Sequence, residues 1–142
     1  MDKTILRRVI TDQREELVSL VSRIKIIERS CLERYKTYRE SNQIKVITGI
    51  RRCGKSLLAY QLLKDKPFAY VNFDDEKIVH LTADDLNDVL EICYSVYGEF
   101  KYILLDEIQN IHGWELFVNR LHRQGLNVTV TGSNAFLLSR EL

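Results

Sequence analysis

The chain has 142 residues, 45% of them hydrophobic and 29% charged, with a formal net charge of +1. That length suits one domain with its own core and is short for two, and the near-neutral total gives no indication of nucleic acid or an anionic membrane as a partner. No apolar run is long enough to span a bilayer and the first ten residues lack the apolar centre of a signal peptide, so the expected location is the cytoplasm.

Residues 1–41 hold ten Lys and Arg against seven Asp and Glu, whereas 42–142 hold eleven against thirteen. This predicts a mildly basic N-terminal helical leader, 1–41, ahead of a mildly acidic core, 42–142. In the leader, Asp12 followed by Glu15 predicts a helix start. Leu17, Leu20, Val21, Ile24, Ile27, Cys31, Leu32, Tyr35 and Tyr38 then recur at three- and four-residue steps, the pattern of an amphipathic helix or helical pair. Ser41-Asn42-Gln43 is the polar link to a β-branched strand over 44–48.

That strand runs into Gly49-Ile50-Arg51-Arg52-Cys53-Gly54-Lys55-Ser56, the pattern G-x-x-x-x-G-K-S, and a helix-forming run over 57–63 follows. The glycines let the backbone curl close to phosphate oxygens, its N–H groups cradle them, and the following helix aims its N-terminal dipole at the anion. In such a loop Lys55 reaches the β- and γ-phosphates and the Ser56 hydroxyl binds Mg²⁺. The expected nucleotide contacts run through Gly49, Ile50, Arg51, Arg52, Cys53, Gly54, Lys55, Ser56 and Leu57. An ordinary glycine turn is the alternative, disfavoured by the strand before and the helix after.

Beyond Pro67 a second strand is predicted over 68–73, then an acidic loop, Asp74-Asp75-Glu76. A helix starts near Thr82, capped with Asp85; it buries Leu86, Val89, Leu90, Cys93 and Tyr97 and ends at Gly98. A third strand leads to Asp106-Glu107. A helix with the stripe Trp114, Phe117, Val118 and Leu121 then closes at Gly125, before a fourth strand over 128–131. Strands alternating with helices predict a three-layer α/β fold around a parallel sheet, with ligands at the carboxyl ends of the strands. Cys31, Cys53 and Cys93, odd in number and far apart, suit neither a disulfide framework nor a zinc site and read as free thiols.

An apolar strand that ends in two adjacent carboxylates is uncommon for a structural reason, because the charges repel and lose solvation unless a metal or donors offset them. Beside a phosphate loop, Asp106 suits Mg²⁺ coordination and Glu107 suits polarising the water that attacks the γ-phosphate. At the end of the fourth strand, Asn134, with Ser133 in reserve, could lie between the phosphate tip and that water. A turn with a helix cap at Ser133 or Asn134 is the other reading.

Together these segments resemble the AAA+ P-loop ATPases, and more narrowly the prokaryotic AAA-type ATPases with G-x-R-R-x-G-K-S, L-D-E-I-Q and T-G-S-N segments. The likeness covers roughly Ile44 to Leu142 and is sharpened by Asp106-Glu107-Ile108-Gln109-Asn110 with Gly113-Trp114-Glu115. It implies that Lys55 and Ser56 correspond to Walker A, Asp106 and Glu107 to Walker B and Asn134 to sensor 1, with Mg²⁺ as cofactor and ATP as substrate. By the same likeness Asn72 is the polar partner that restrains the catalytic glutamate; a strand-end cap is the alternative. Such proteins usually continue into a fifth strand, an arginine for a neighbouring subunit's site, a helical lid and often a C-terminal domain. Since the sequence stops at Leu142, the resemblance implies a truncated core, an open apolar edge on the first strand, and slow hydrolysis in isolation. It also implies a homo-oligomer or an absent C-terminal domain as partner. The rival expectations are a non-hydrolysing nucleotide-binding module and a small-molecule P-loop kinase. No N-K-x-D segment marks guanine recognition.

Overall fold

The computed structural model describes residues 2–23, 39–41, 43–48, 59–60 and 63–132. In chain order these form α1 (Lys3–Arg23), β1 (Lys45–Thr48), β2 (Phe68–Asn72), a 3₁₀ turn (Ala83–Asp85) leading into α2 (Leu86–Tyr97), β3 (Tyr102–Asp106), a second 3₁₀ turn (Ile108–Asn110), α3 (Trp114–Arg123) and β4 (Asn127–Gly132). All strand pairs are parallel and the order is β1-β4-β3-β2, so every strand ends on the same side of the sheet. The central strands β3 and β4 are buried from their second residue onward, as expected of a parallel sheet covered on both faces. Among the described strands β1 lies at one edge of this sheet, and its Val46 is exposed.

Two apolar clusters flank the sheet. The larger joins Ala69, Val71, Ile103, Leu105, Val128 and Val130 to α2 and α3. The smaller joins Tyr70 and Leu104 to Ala59 and Leu63. Side chains alternate along a strand, so these sets occupy opposite faces. Ala59, Tyr60 and Leu63 are helical, and the rest of the predicted 57–63 helix lies outside the described residues. The α3 stripe is buried as predicted, at Trp114, Phe117, Val118 and Leu121; on α2, Leu86, Val89 and Cys93 are buried as predicted, Leu90 and Tyr97 are only partly buried, and Ile92, outside the predicted stripe, is buried as well. At the α2 start the Asp85 carboxylate accepts hydrogen bonds from the Thr82 N–H and hydroxyl, at 3.0 and 3.2 Å. Gly98 (φ 76°) and Gly125 (φ 92°) end α2 and α3 in a backbone region where a side chain would be strained.

The first helix begins earlier than the Asp12–Glu15 pattern predicts. α1 starts at Lys3, with the Thr4 N–H bonded to the Asp2 carboxylate at 2.8 Å, and Asp12 lies mid-helix. The buried periodicity explains the difference: it starts at Leu6 and continues through Val9, Ile10, Gln13 and Leu17, while Leu20 is exposed. Leu6, Val9 and Ile10 enter the larger cluster and Leu17 the smaller, so α1 passes around the β2 edge and packs on both faces. At the crossing point lies Gln13, 2% exposed. Its amide donates to the Asn72 carbonyl at 2.8 Å and accepts from the Asn72 N–H at 2.9 Å. A side-chain amide thus takes the place of a neighbouring strand on the outer edge of β2.

Candidate functional site at the carboxyl ends of the strands

The topology brings the bases of the three sequence segments together. β1 leads towards the G-x-x-x-x-G-K-S loop, β3 ends at Asp106, and β4 ends at Gly132, just before Ser133-Asn134. These strands are neighbours, and Thr48 pairs with Gly132 at the shared end. Gly49, Ile50, Arg51, Arg52, Cys53, Gly54, Lys55, Ser56 and Leu57, and likewise Ser133 and Asn134, lie outside the described residues.

Both members of the acidic pair lie among the described residues. Asp106, 2% exposed, is the last residue of β3, and Glu107, 7% exposed, follows it. Carboxylates this buried need donors. The Tyr70 hydroxyl donates a hydrogen bond to Asp106 Oδ2 at 2.9 Å, and the Thr131 hydroxyl donates to Asp106 Oδ1. The same Thr131 oxygen accepts the Glu107 N–H at 3.0 Å. Burial first, and then the Asp106 carboxylate, pushes the Tyr70 phenol well above its ordinary pKa, so it stays protonated as a donor.

Glu107 has φ 55° and ψ 43°, the one left-handed non-glycine position among the described residues. Its carboxylate Oε2 accepts from the Gln109 side-chain amide at 2.7 Å. The Phe73 N–H meets the Asp106 carbonyl at 2.9 Å and the Asn110 amide meets the Phe73 carbonyl at 3.0 Å, which ties the loops after β2 and β3 together. Asn72 takes its strand-end role: its side-chain oxygen accepts the Asp74 N–H at 2.9 Å. Gln109 reaches the glutamate carboxylate from two residues on, where the 3₁₀ turn folds the chain back.

Among the described residues no group of three or more His, Cys, Asp or Glu could hold a metal. A buried carboxylate among hydroxyl oxygens nevertheless fits Mg²⁺, which is usually held by one or two carboxylates together with substrate phosphates and water. The sequence reading missed Thr131, Tyr70 and Gln109. Thr131 had a faint signal, as a hydroxyl residue alternating with Thr129 in a buried strand, and so did Tyr70, whose phenol needs a partner inside a sheet.

A family described as an AAA domain matches residues 41–142. The chain belongs to the AAA domain family. This bears out the AAA-type P-loop reading and, with the all-parallel sheet, the α/β fold class. Among curated proteins, the chain is 42% identical over 105 residues to the uncharacterized protein MJ1544 of Methanocaldococcus jannaschii, covering 71% of this chain and 23% of that one. It is 32% identical over 132 residues to an uncharacterized protein of Haemophilus influenzae, covering 86% and 33%. The chain therefore spans about a quarter to a third of these relatives' lengths. No solved structure matches it. The AAA domain family assignment makes the chain an ATPase-like nucleotide-binding module. No described helix is long and apolar enough to cross a membrane.

Proposed function

We propose that this AAA domain binds Mg²⁺·ATP at the carboxyl ends of β1, β3 and β4 and hydrolyses the γ-phosphate. The observation that carries the reading is the acidic pair: a clamped Asp106 beside a Glu107 held in a left-handed backbone by Thr131 and Gln109. A backbone outlier at a buried acid suggests a site where geometry serves chemistry. Lys55, with the N–H groups from Gly49 to Leu57, binds the phosphates. Ser56 and Asp106 would hold Mg²⁺, which when bound neutralises charge on the phosphates. Glu107 accepts a proton from the attacking water and Asn134 orients that water against the phosphate. ATP is preferred over GTP through the family likeness, and location in the cytoplasm belongs to the same proposal, as does assembly into a homo-oligomer or onto a further domain.

Calorimetric titration of the chain with Mg²⁺·ATP and Mg²⁺·GTP, beside Lys55→Ala, tests binding; turnover assays on Glu107→Gln test hydrolysis. The expected result is ATP binding lost in Lys55→Ala. In Glu107→Gln binding is retained and turnover falls about 10²- to 10⁴-fold, the usual contribution of a general base. Binding without turnover in the unaltered chain would favour a non-hydrolysing module instead.

A further inference from the structure

Asp106 is held from both sides. Tyr70 on β2 pairs in register with Leu104, two residues before Asp106 on the same face of β3. On the other side the Leu105–Val130 register, continued by one residue, sets Thr131 beside Asp106. The two neighbouring strands therefore each supply one hydroxyl to one carboxylate oxygen, Tyr70 to Oδ2 and Thr131 to Oδ1. These residues share the sheet face on which Ala59 and Leu63, just downstream of the phosphate-loop sequence, pack against Tyr70 and Leu104.

A carboxylate gripped at both oxygens cannot turn about its side-chain torsions without breaking a buried hydrogen bond. That grip fixes the plane of the carboxylate, and with it the direction from which a cation can be met. Thr131 adds a second constraint through the Glu107 N–H, so one hydroxyl sets both acids.

We propose that Tyr70 and Thr131 are positioning residues that orient Asp106 for a divalent cation. The proposal rests on the Mg²⁺·nucleotide reading of the site and extends it to two residues outside the phosphate loop and the acidic pair. Both act through Asp106, to which each donates a hydroxyl hydrogen bond.

The test compares the full chain with Tyr70→Phe, Thr131→Val and Thr131→Ser. It measures the Mg²⁺ concentration that half-saturates binding of a fluorescent ATP analogue, and the affinity for the same analogue in EDTA. Tyr70→Phe and Thr131→Val are expected each to raise the Mg²⁺ requirement about 10- to 100-fold, the usual cost of losing a partner that orients a metal-binding group. Affinity in EDTA stays within about twofold of the unaltered chain's, and Thr131→Ser, which keeps the hydroxyl, restores the Mg²⁺ requirement. A merely structural role would weaken binding with and without Mg²⁺ alike, and that result overturns the proposal. So does an unchanged Mg²⁺ requirement in folded variants. Should Thr131→Val not fold, Tyr70→Phe decides, since it removes one oxygen from a ring that keeps its packing. If the unaltered chain binds the analogue in neither condition, the nucleotide reading itself fails and this proposal with it. That failure shows in the unaltered chain and is distinct from a failure confined to the variants.

Discussion

Glu107 sits at φ 55°, where a Cβ crowds the carbonyl oxygen that follows it, at a cost of roughly 1–2 kcal/mol for an L-residue. The Thr131 and Gln109 hydrogen bonds hold it there. Glycine carries no such penalty, which reverses the usual ranking of two truncations. Glu107→Gly is expected to be more stable than Glu107→Ala by about 1 kcal/mol in urea unfolding, although glycine is normally the more destabilising choice. Equal stabilities, or a more stable alanine variant, would show that the conformation is not imposed on the chain. At this scale the sequence was only partly readable. Asp106 and Glu107 stood out because two charges end an apolar run, whereas Tyr70 and Thr131 look like ordinary strand residues until the register places their hydroxyls beside Asp106.

Elements were more legible than their joints. The stripes of α2 and α3 and the four parallel strands follow from spacing, since a period of 3.6 or 2 is a property of neighbouring residues alone. The start of α1 did not follow. Asp12 and Glu15 resemble a cap, but Leu6, Val9 and Ile10 gain enough burial to carry the helix back to Lys3. The α2 start did match its signal, and it carries a pH dependence. The Thr82 N–H, foremost among the causes, holds the Asp85 carboxyl below its ordinary pKa, with the Thr82 hydroxyl adding to the effect. Folding therefore favours the ionised form. The contribution is complete above the unfolded-state pKa, near 4, and disappears as pH falls through the lower folded-state value. In thermal melts, Asp85→Asn is expected to fall below the unaltered chain at pH 7 and to approach it as the pH is lowered through the acid range below about 4. A gap of constant size across that range would remove the charge from the explanation.

At the scale of the whole molecule, α1 is joined to both clusters although the matched family span begins only at residue 41. Burying Leu6, Val9, Ile10 and Leu17 is worth about 1.5–3 kcal/mol each, together roughly the 5–15 kcal/mol by which a typical domain is stable. A fragment of residues 41–142 is accordingly expected to lose cooperative unfolding and to self-associate, as followed by circular dichroism and size-exclusion chromatography. A monomeric fragment with the full chain's urea midpoint would show instead that α1 is dispensable.

The Gln13 contact distributes mutational tolerance unevenly between its two partners. Gln13 bonds the main chain of Asn72 rather than its side chain, and every amino acid except proline presents that same N–H and carbonyl. As far as this contact is concerned, position 72 can drift while position 13 cannot, since only a side chain that both donates and accepts at that reach can span the edge. In a chimera of two related chains joined between α1 and β2, this edge contact would survive any residue but proline at position 72 and would be lost with the glutamine at position 13.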